Sequence, residues 1–123
     1  MFCVEKTFYF EAGHELVYHD GKCRNPHGHS YVFTVRLESS RLIESGPKKN
    51  MIIDFDDMAK IVKPMIEQYL DHRWLNDTLN TDSPTAEYIA QWIFRYLYPL
   101  LPNLKEITLE ETTSARVTYS EKD

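Results

Sequence analysis

The clearest alternation in the chain runs from Tyr31 to Glu38, where Tyr31, Phe33, Val35 and Leu37 alternate with Thr34, Arg36 and Glu38. Successive side chains of a strand point to opposite faces, so this stretch predicts a strand with one buried side. Residues 2–10 mix aromatic and β-branched side chains and predict an earlier strand. Residues 39–50 are polar, with Gly46-Pro47 as a turn signal, and Met51-Ile52-Ile53 is a short apolar run expected to return to the sheet. From Asp54 the period changes. Met58, Ile61, Val62, Met65, Ile66 and Tyr69 fall on one face of a helix, with Pro64 inside it to kink or break it. A second helix is expected from Ser83-Pro84, with Ser as the cap and Pro in the first turn. Its stripe is Ile89, Trp92, Ile93, Tyr96, Leu97 and Leu100, and Pro99 and Pro102 close it. Ile107 and Leu109 alternate with Thr108 and Glu110, and Val117 and Tyr119 follow in a last extended stretch. The predicted order is β-β-(β)-α-α-β-β, an α+β domain with helices packed on an antiparallel sheet.

Composition narrows the class. A length of 123 residues, with no repeat, low-complexity tract or linker, predicts a single domain over 1–123. A net charge of −5 without a basic block argues against nucleic acid and anionic membranes as partners. No run of eighteen apolar residues occurs and the N-terminus lacks a signal-like layout, so the expected location is cytoplasmic. The two cysteines stand in different contexts, which argues against a disulfide framework. Cys3, among large apolar neighbours, is expected to be a small buried hydrophobe.

Candidate chemistry gathers at the histidines. His27 and His29 are two apart at the start of the second strand, so both rings can face one ion, while Gly28 leaves room on the other side. His14 follows the first strand, and strand pairing could bring it to the same point. Three imidazoles without a fourth protein ligand suit a catalytic zinc, although a His-x-His pair is only moderately specific and separate, unrelated histidines would read the same way. Cys23 precedes His27 by four residues between Lys22 and Arg24, which leaves it open as a general base, a fourth ligand or an ordinary loop thiol. Asp71 could orient His72 into a proton relay if the helix ends there. Alternatively, His72 simply interacts with a helix C-terminus.

Six segments in order resemble one family. Phe10-Glu11-Ala12-Gly13-His14, residues 23–29, Ile53-Asp54-Phe55, Leu70-Asp71-His72 with Leu75-Asn76, Pro84-Thr85-Ala86-Glu87 and Glu111-Thr112 are together similar to the 6-pyruvoyltetrahydropterin and 6-carboxytetrahydropterin synthases. The resemblance implies a tunnelling fold, in which β-β-α-α-β-β subunits associate into barrels, usually as a hexamer of two trimers. It implies Zn2+ on His14, His27 and His29, Cys23 as the catalytic thiol, and Asp71 with His72 as the proton-transfer group. Glu111 matches the carboxylate that anchors the pterin, and Thr85 and Glu87 match a segment near it. Glu87 is equally well explained as an acidic residue in a first helical turn.

The implied reaction is on 7,8-dihydroneopterin triphosphate. The three residues between Cys23 and His27 are similar to the carboxy-forming branch of 7-deazaguanine (queuosine) biosynthesis, which releases acetaldehyde and triphosphate. A 6-pyruvoyltetrahydropterin synthase and a non-catalytic pterin- or metal-binding relative are the alternatives. Lys22, Arg24, Lys48, Lys49 and Arg116 are candidates for holding the triphosphate, and a second subunit could contribute to that site.

Overall fold

The computed structural model describes residues 1–121. Strand β1 (Phe2–His14) pairs antiparallel with β2 (His27–Ser39) along its whole length, from Phe2 opposite Ser39 to His14 opposite His27. Strand β4 (Leu104–Thr112) pairs antiparallel with β2, and β5 (Ala115–Tyr119) with β4. A two-residue strand, β3 (Arg73–Trp74), adds to the other edge of β1 beside Ala12 and Gly13, and it runs parallel. The sheet order is β3-β1-β2-β4-β5, and β3 makes the sheet mixed rather than wholly antiparallel as expected.

Alternate side chains from the middle of the long strands form one core. Phe8, Phe10 and Ala12 from β1 meet Tyr31, Phe33, Val35 and Leu37 from β2 and Ile107 and Leu109 from β4. Helix α1 (Phe55–Met65) closes part of this face with Met58, Val62 and Met65, all fully buried. Its start is set by Asp54, whose carboxylate accepts Asp56 N–H at 2.7 Å, with Asp56 and Asp57 suiting the positive end of the helix. After Pro64 the α-helix gives way to a π-helical turn over Ile66–Leu70, the early break that proline predicts. A short helix α2 (Leu75–Thr78) follows β3, and α3 (Ala86–Leu97) buries Ile89, Ala90, Ile93, Phe94 and Leu97 in the same core.

Several local expectations are corrected. Met51-Ile52-Ile53 forms no strand; Ile52 and Ile53 pack against the core from a bend. The cap of α3 is Thr85, whose hydroxyl accepts Tyr88 N–H at 3.1 Å, so Ser83 and Pro84 precede the helix. Leu100 lies beyond the helix and is half exposed. Cys3 is exposed because odd-numbered residues of β1 face away from the helices. Aromatic residues at both parities, Phe8 and Phe10 inward but Tyr9 outward, hid that parity in the sequence.

Candidate active site

The antiparallel register of β1 and β2 ends with His14 directly opposite His27, and His29 lies two pairs further in, across from Ala12. Alternation turns all three rings to the core side. Their ring centroids lie 4.5, 5.1 and 5.0 Å apart, and one nitrogen of each falls within 4.8 Å of the others. Phe10 and Tyr31 stack at 4.8 Å beneath them and make an apolar floor.

Backbone carbonyls fix the tautomers. His14 Nδ1–H donates to Pro84 O at 2.8 Å, and His27 Nδ1–H donates to Asn25 O at 2.8 Å. Each bond leaves an Nε2 lone pair free, and these two Nε2 atoms lie 2.9 Å apart. His29 Nε2 is buried and has no hydrogen-bond partner among the described residues. A buried ring nitrogen without a partner is costly, and a bound cation would satisfy it. Burial is the main reason that the pKa of His14 is lowered, so its ring is held neutral, the form that ligates. The donor set therefore fits a zinc ion held by three imidazoles.

Glu111 faces the same space. Its carboxylate lies 3.7 Å from His29 Nε2, too far for a hydrogen bond. The β4–β5 register slips between Glu110 and Thr112, so Glu111 is the extra residue of an irregularity of the kind that re-aims a side chain. Glu110 turns to the open face and pairs with Arg116 at 3.0 Å, as alternation predicts.

Asp71 and His72 form a second cluster. The helical segment ends at Asp71, as their pairing requires, and His72 takes a left-handed backbone at φ 57°. His72 Nδ1–H donates to Asp71 Oδ2 at 2.9 Å, and Glu11 N–H donates to Asp71 Oδ1 at 2.9 Å. The Glu11 amide and, after it, the His72 ring hold the Asp71 carboxyl below its ordinary range. His72 N–H in turn donates to Glu11 O, so one residue of β1 grips both members of the pair. A concavity of about 700 Å³ is lined by Glu11, Gly28, His27, His29, His72 and Trp74 among others.

Cys23 is half-buried on the 3-10 turn Lys22–Arg24 and its carbonyl accepts Leu16 N–H at 2.9 Å. Its sulfur does not join the group of ligand atoms formed by the three histidines. Thr85 is committed to capping α3, and Glu87 lies exposed in the first turn of that helix. Neither makes a hydrogen bond to the histidines among the described residues. His19 sits outside the cluster and accepts Gly21 N–H at 2.8 Å.

Sequence reasoning missed the supports. Pro84 and Asn25 act through backbone carbonyls, which no residue type announces. Asn76 clamps Glu15, beside His14, at both its N–H (2.9 Å) and its C=O (2.8 Å). Its only sequence signal is its place in Leu75-Asn76.

Comparison with known proteins agrees with this geometry. A family model described as 6-pyruvoyl tetrahydropterin synthase matches residues 3–122. The chain is 40% identical over 120 residues to a 6-carboxy-5,6,7,8-tetrahydropterin synthase of Synechocystis, covering 97% of this chain and 93% of the relative. It is 36% identical over 142 residues to a protein of the same name from Haemophilus influenzae, covering 98% and 100%. Among solved structures, the 6-pyruvoyl tetrahydropterin synthase of Caenorhabditis elegans superposes with a TM-score of 0.83 at 28% identity, covering 98% of this chain and 96% of that one. A Plasmodium vivax structure, with a TM-score of 0.70 at 19% identity and full coverage of both chains, shares the fold.

Proposed function

The chain belongs to the 6-pyruvoyl tetrahydropterin synthase family and has its tunnelling fold, and on that premise we propose that it is a zinc-dependent 6-carboxy-5,6,7,8-tetrahydropterin synthase. Its substrate in this reading is 7,8-dihydroneopterin triphosphate, and its products are 6-carboxytetrahydropterin, acetaldehyde and triphosphate. The reaction is placed in the cytoplasm, in queuosine (7-deazaguanine) biosynthesis. No helix of the described residues is long and apolar enough to cross a membrane. The observation that carries the reading is the three-histidine set, whose His29 Nε2 is unpartnered among the described residues, with Glu111 beside it.

Zinc on His14, His27 and His29 would supply Lewis-acid polarisation of the substrate's side-chain oxygens. Glu111 accepts the ring N–H and the exocyclic amino group of the pterin, and this two-point grip fixes the ring. Cys23 takes the proton from the side-chain carbon, a role favoured over ligation because its sulfur stands outside the ligand group. His72, oriented by Asp71, passes protons to and from the side-chain oxygens. Thr85 and Glu87 are assigned to the surroundings of the pterin on the strength of the family match alone.

We further propose a homo-oligomer, a hexamer of two trimers. Its support is two sheet edges without a neighbouring strand among the described residues: β1 over residues 2–10, where β3 covers only Ala12 and Gly13 and Asp71 and His72 hold Glu11, and the outer edge of β5. Long open edges are unfavourable on a free subunit, and strand directions make β5 antiparallel to the β1 of a neighbour.

Incubation of purified protein with dihydroneopterin triphosphate, read by mass spectrometry, tests the reading. Carboxytetrahydropterin with acetaldehyde is expected. A pyruvoyl product would move the chain to the branch of the Caenorhabditis structure, and unchanged substrate at full zinc loading would overturn both. Cys23→Ala is expected to keep zinc and lose turnover; loss of zinc would make the thiol a ligand.

A further inference from the structure

The segment that carries Asp71 and His72 is wound one residue wider than an α-helix. At the end of the π turn, Asp71 N–H donates to Ile66 O at 2.8 Å. In α-helical register that N–H would go to Glu67 O, and Arg73 N–H would go to Tyr69 O. Both of those carbonyls are taken by side chains instead. The Arg73 guanidinium donates through Nη2 to Glu67 O at 3.0 Å, and the Thr78 hydroxyl donates to Tyr69 O at 2.7 Å. π turns are uncommon and persist where the surroundings favour them, frequently at functional sites.

The wider winding sets where the dyad lies. Each residue of an α-helix advances the chain by about 100°, so a return to α register would swing Asp71 away from β1. In the π register Asp71 Oδ1 reaches Glu11 N–H and His72 N–H reaches Glu11 O. His72 meanwhile holds a left-handed backbone that a non-glycine residue adopts only when its neighbours enforce it. Fully buried Leu70 and Leu75 anchor the chain on either side.

We propose that Thr78 and Arg73 are positioning residues: by occupying the two carbonyls that an α-helical ending would use, they hold the turn in π register and place the Asp71–His72 dyad against Glu11. The inference rests on the reading of that dyad as the proton-transfer group. Thr78 is the cleaner member, since it is half-buried at the end of α2 and does not line the concavity, whereas Arg73 does. Thr78 can therefore act only through the turn.

The test compares full-length, zinc-loaded Thr78→Val and Thr78→Ser proteins. In Thr78→Val the Glu11 and His72 amide signals are expected to shift by NMR and to exchange faster with solvent. Its kcat should fall on the order of ten- to a hundredfold with KM within about twofold, since small misplacements of catalytic groups carry such penalties. Thr78→Ser keeps the hydroxyl and should behave as the parent. Unchanged Glu11 and His72 signals in a folded Thr78→Val protein would overturn the proposal, as would shifted signals with unaltered kcat. Should Thr78→Val not fold, Arg73→Met read by the same two amides decides in the same way. The amide signals do not depend on turnover, so a parent protein inactive on the pterin substrate would sink the functional reading while leaving the register to be judged separately.

Discussion

The three histidines stand on the two longest strands of the sheet, while Asp71 and His72 stand on a turn between helices. His14 is 1% exposed, and His27 and His29 stand with it on strands whose register is fixed by thirteen consecutive pairs. The His72 side chain is 79% exposed and is held by its bond to Asp71 and by the backbone of Glu11. The contrast separates two tasks. Ligands of a metal need a preorganised geometry, which a rigid ladder and carbonyl-fixed tautomers provide. A proton-relay group must be reachable by substrate, and exposure at the rim of a concavity gives that reach at the expense of rigidity.

The comparison can be broken from either side. The largest effect is expected from His29→Ala, which removes one of three ligands. Metal analysis should find zinc well below one per chain, and turnover should fall by roughly a thousandfold or more, because charge stabilisation of several kcal/mol is lost. Full zinc retention would show that the strand-borne set is not the metal site. Asp71→Asn should keep zinc at one per chain while kcat falls about 10²- to 10⁴-fold, the range for loss of general acid–base action. Loss of metal in that variant would show that the two regions are not separable.

The smallest effect is an acid titration of the metal-free protein, followed by amide exchange. The pKa of His14 is lowered by burial, so the stability it lends is present above the unfolded value of about 6.5 and is lost as pH falls from there through the folded value. Asp71 is also depressed, by its bonds to Glu11 and His72, so its contribution persists down to about pH 3.9 and fades only below that. Amides 13–15 and 27–29 should therefore lose protection at a higher pH than the Glu11 amide. The reverse order would contradict the assignment of a burial-depressed imidazole to the histidine end.

Legibility in the sequence followed how local each signal was. Alternation in β2 and the helical stripe of α1 were readable because burial repeats at the period of the element: Tyr31, Phe33, Val35 and Leu37 are all buried, as are Met58, Val62 and Met65. The face of β1 was not readable, since aromatics occur at both parities and Cys3 went to the open side. His27 and His29 declared themselves by a two-residue spacing on a strand. His14 needed the strand register, and Asp71 with His72 needed the helix to end where it does.

The chain's own order of residues determined the elements, the core stripe of β2, the break after Pro64 and the candidate ligands, because backbone geometry ties side-chain direction to spacing. Only the tertiary structure decided that β3 runs parallel to β1, that Glu111 turns toward His29 and that Pro84 and Asn25 orient the imidazoles. It also decided that Arg73 and Thr78 occupy the carbonyls of the π turn. Those contacts join residues far apart in the chain or use backbone atoms that every residue shares. No local pattern encodes them, and they exist only once the sheet and helices have packed.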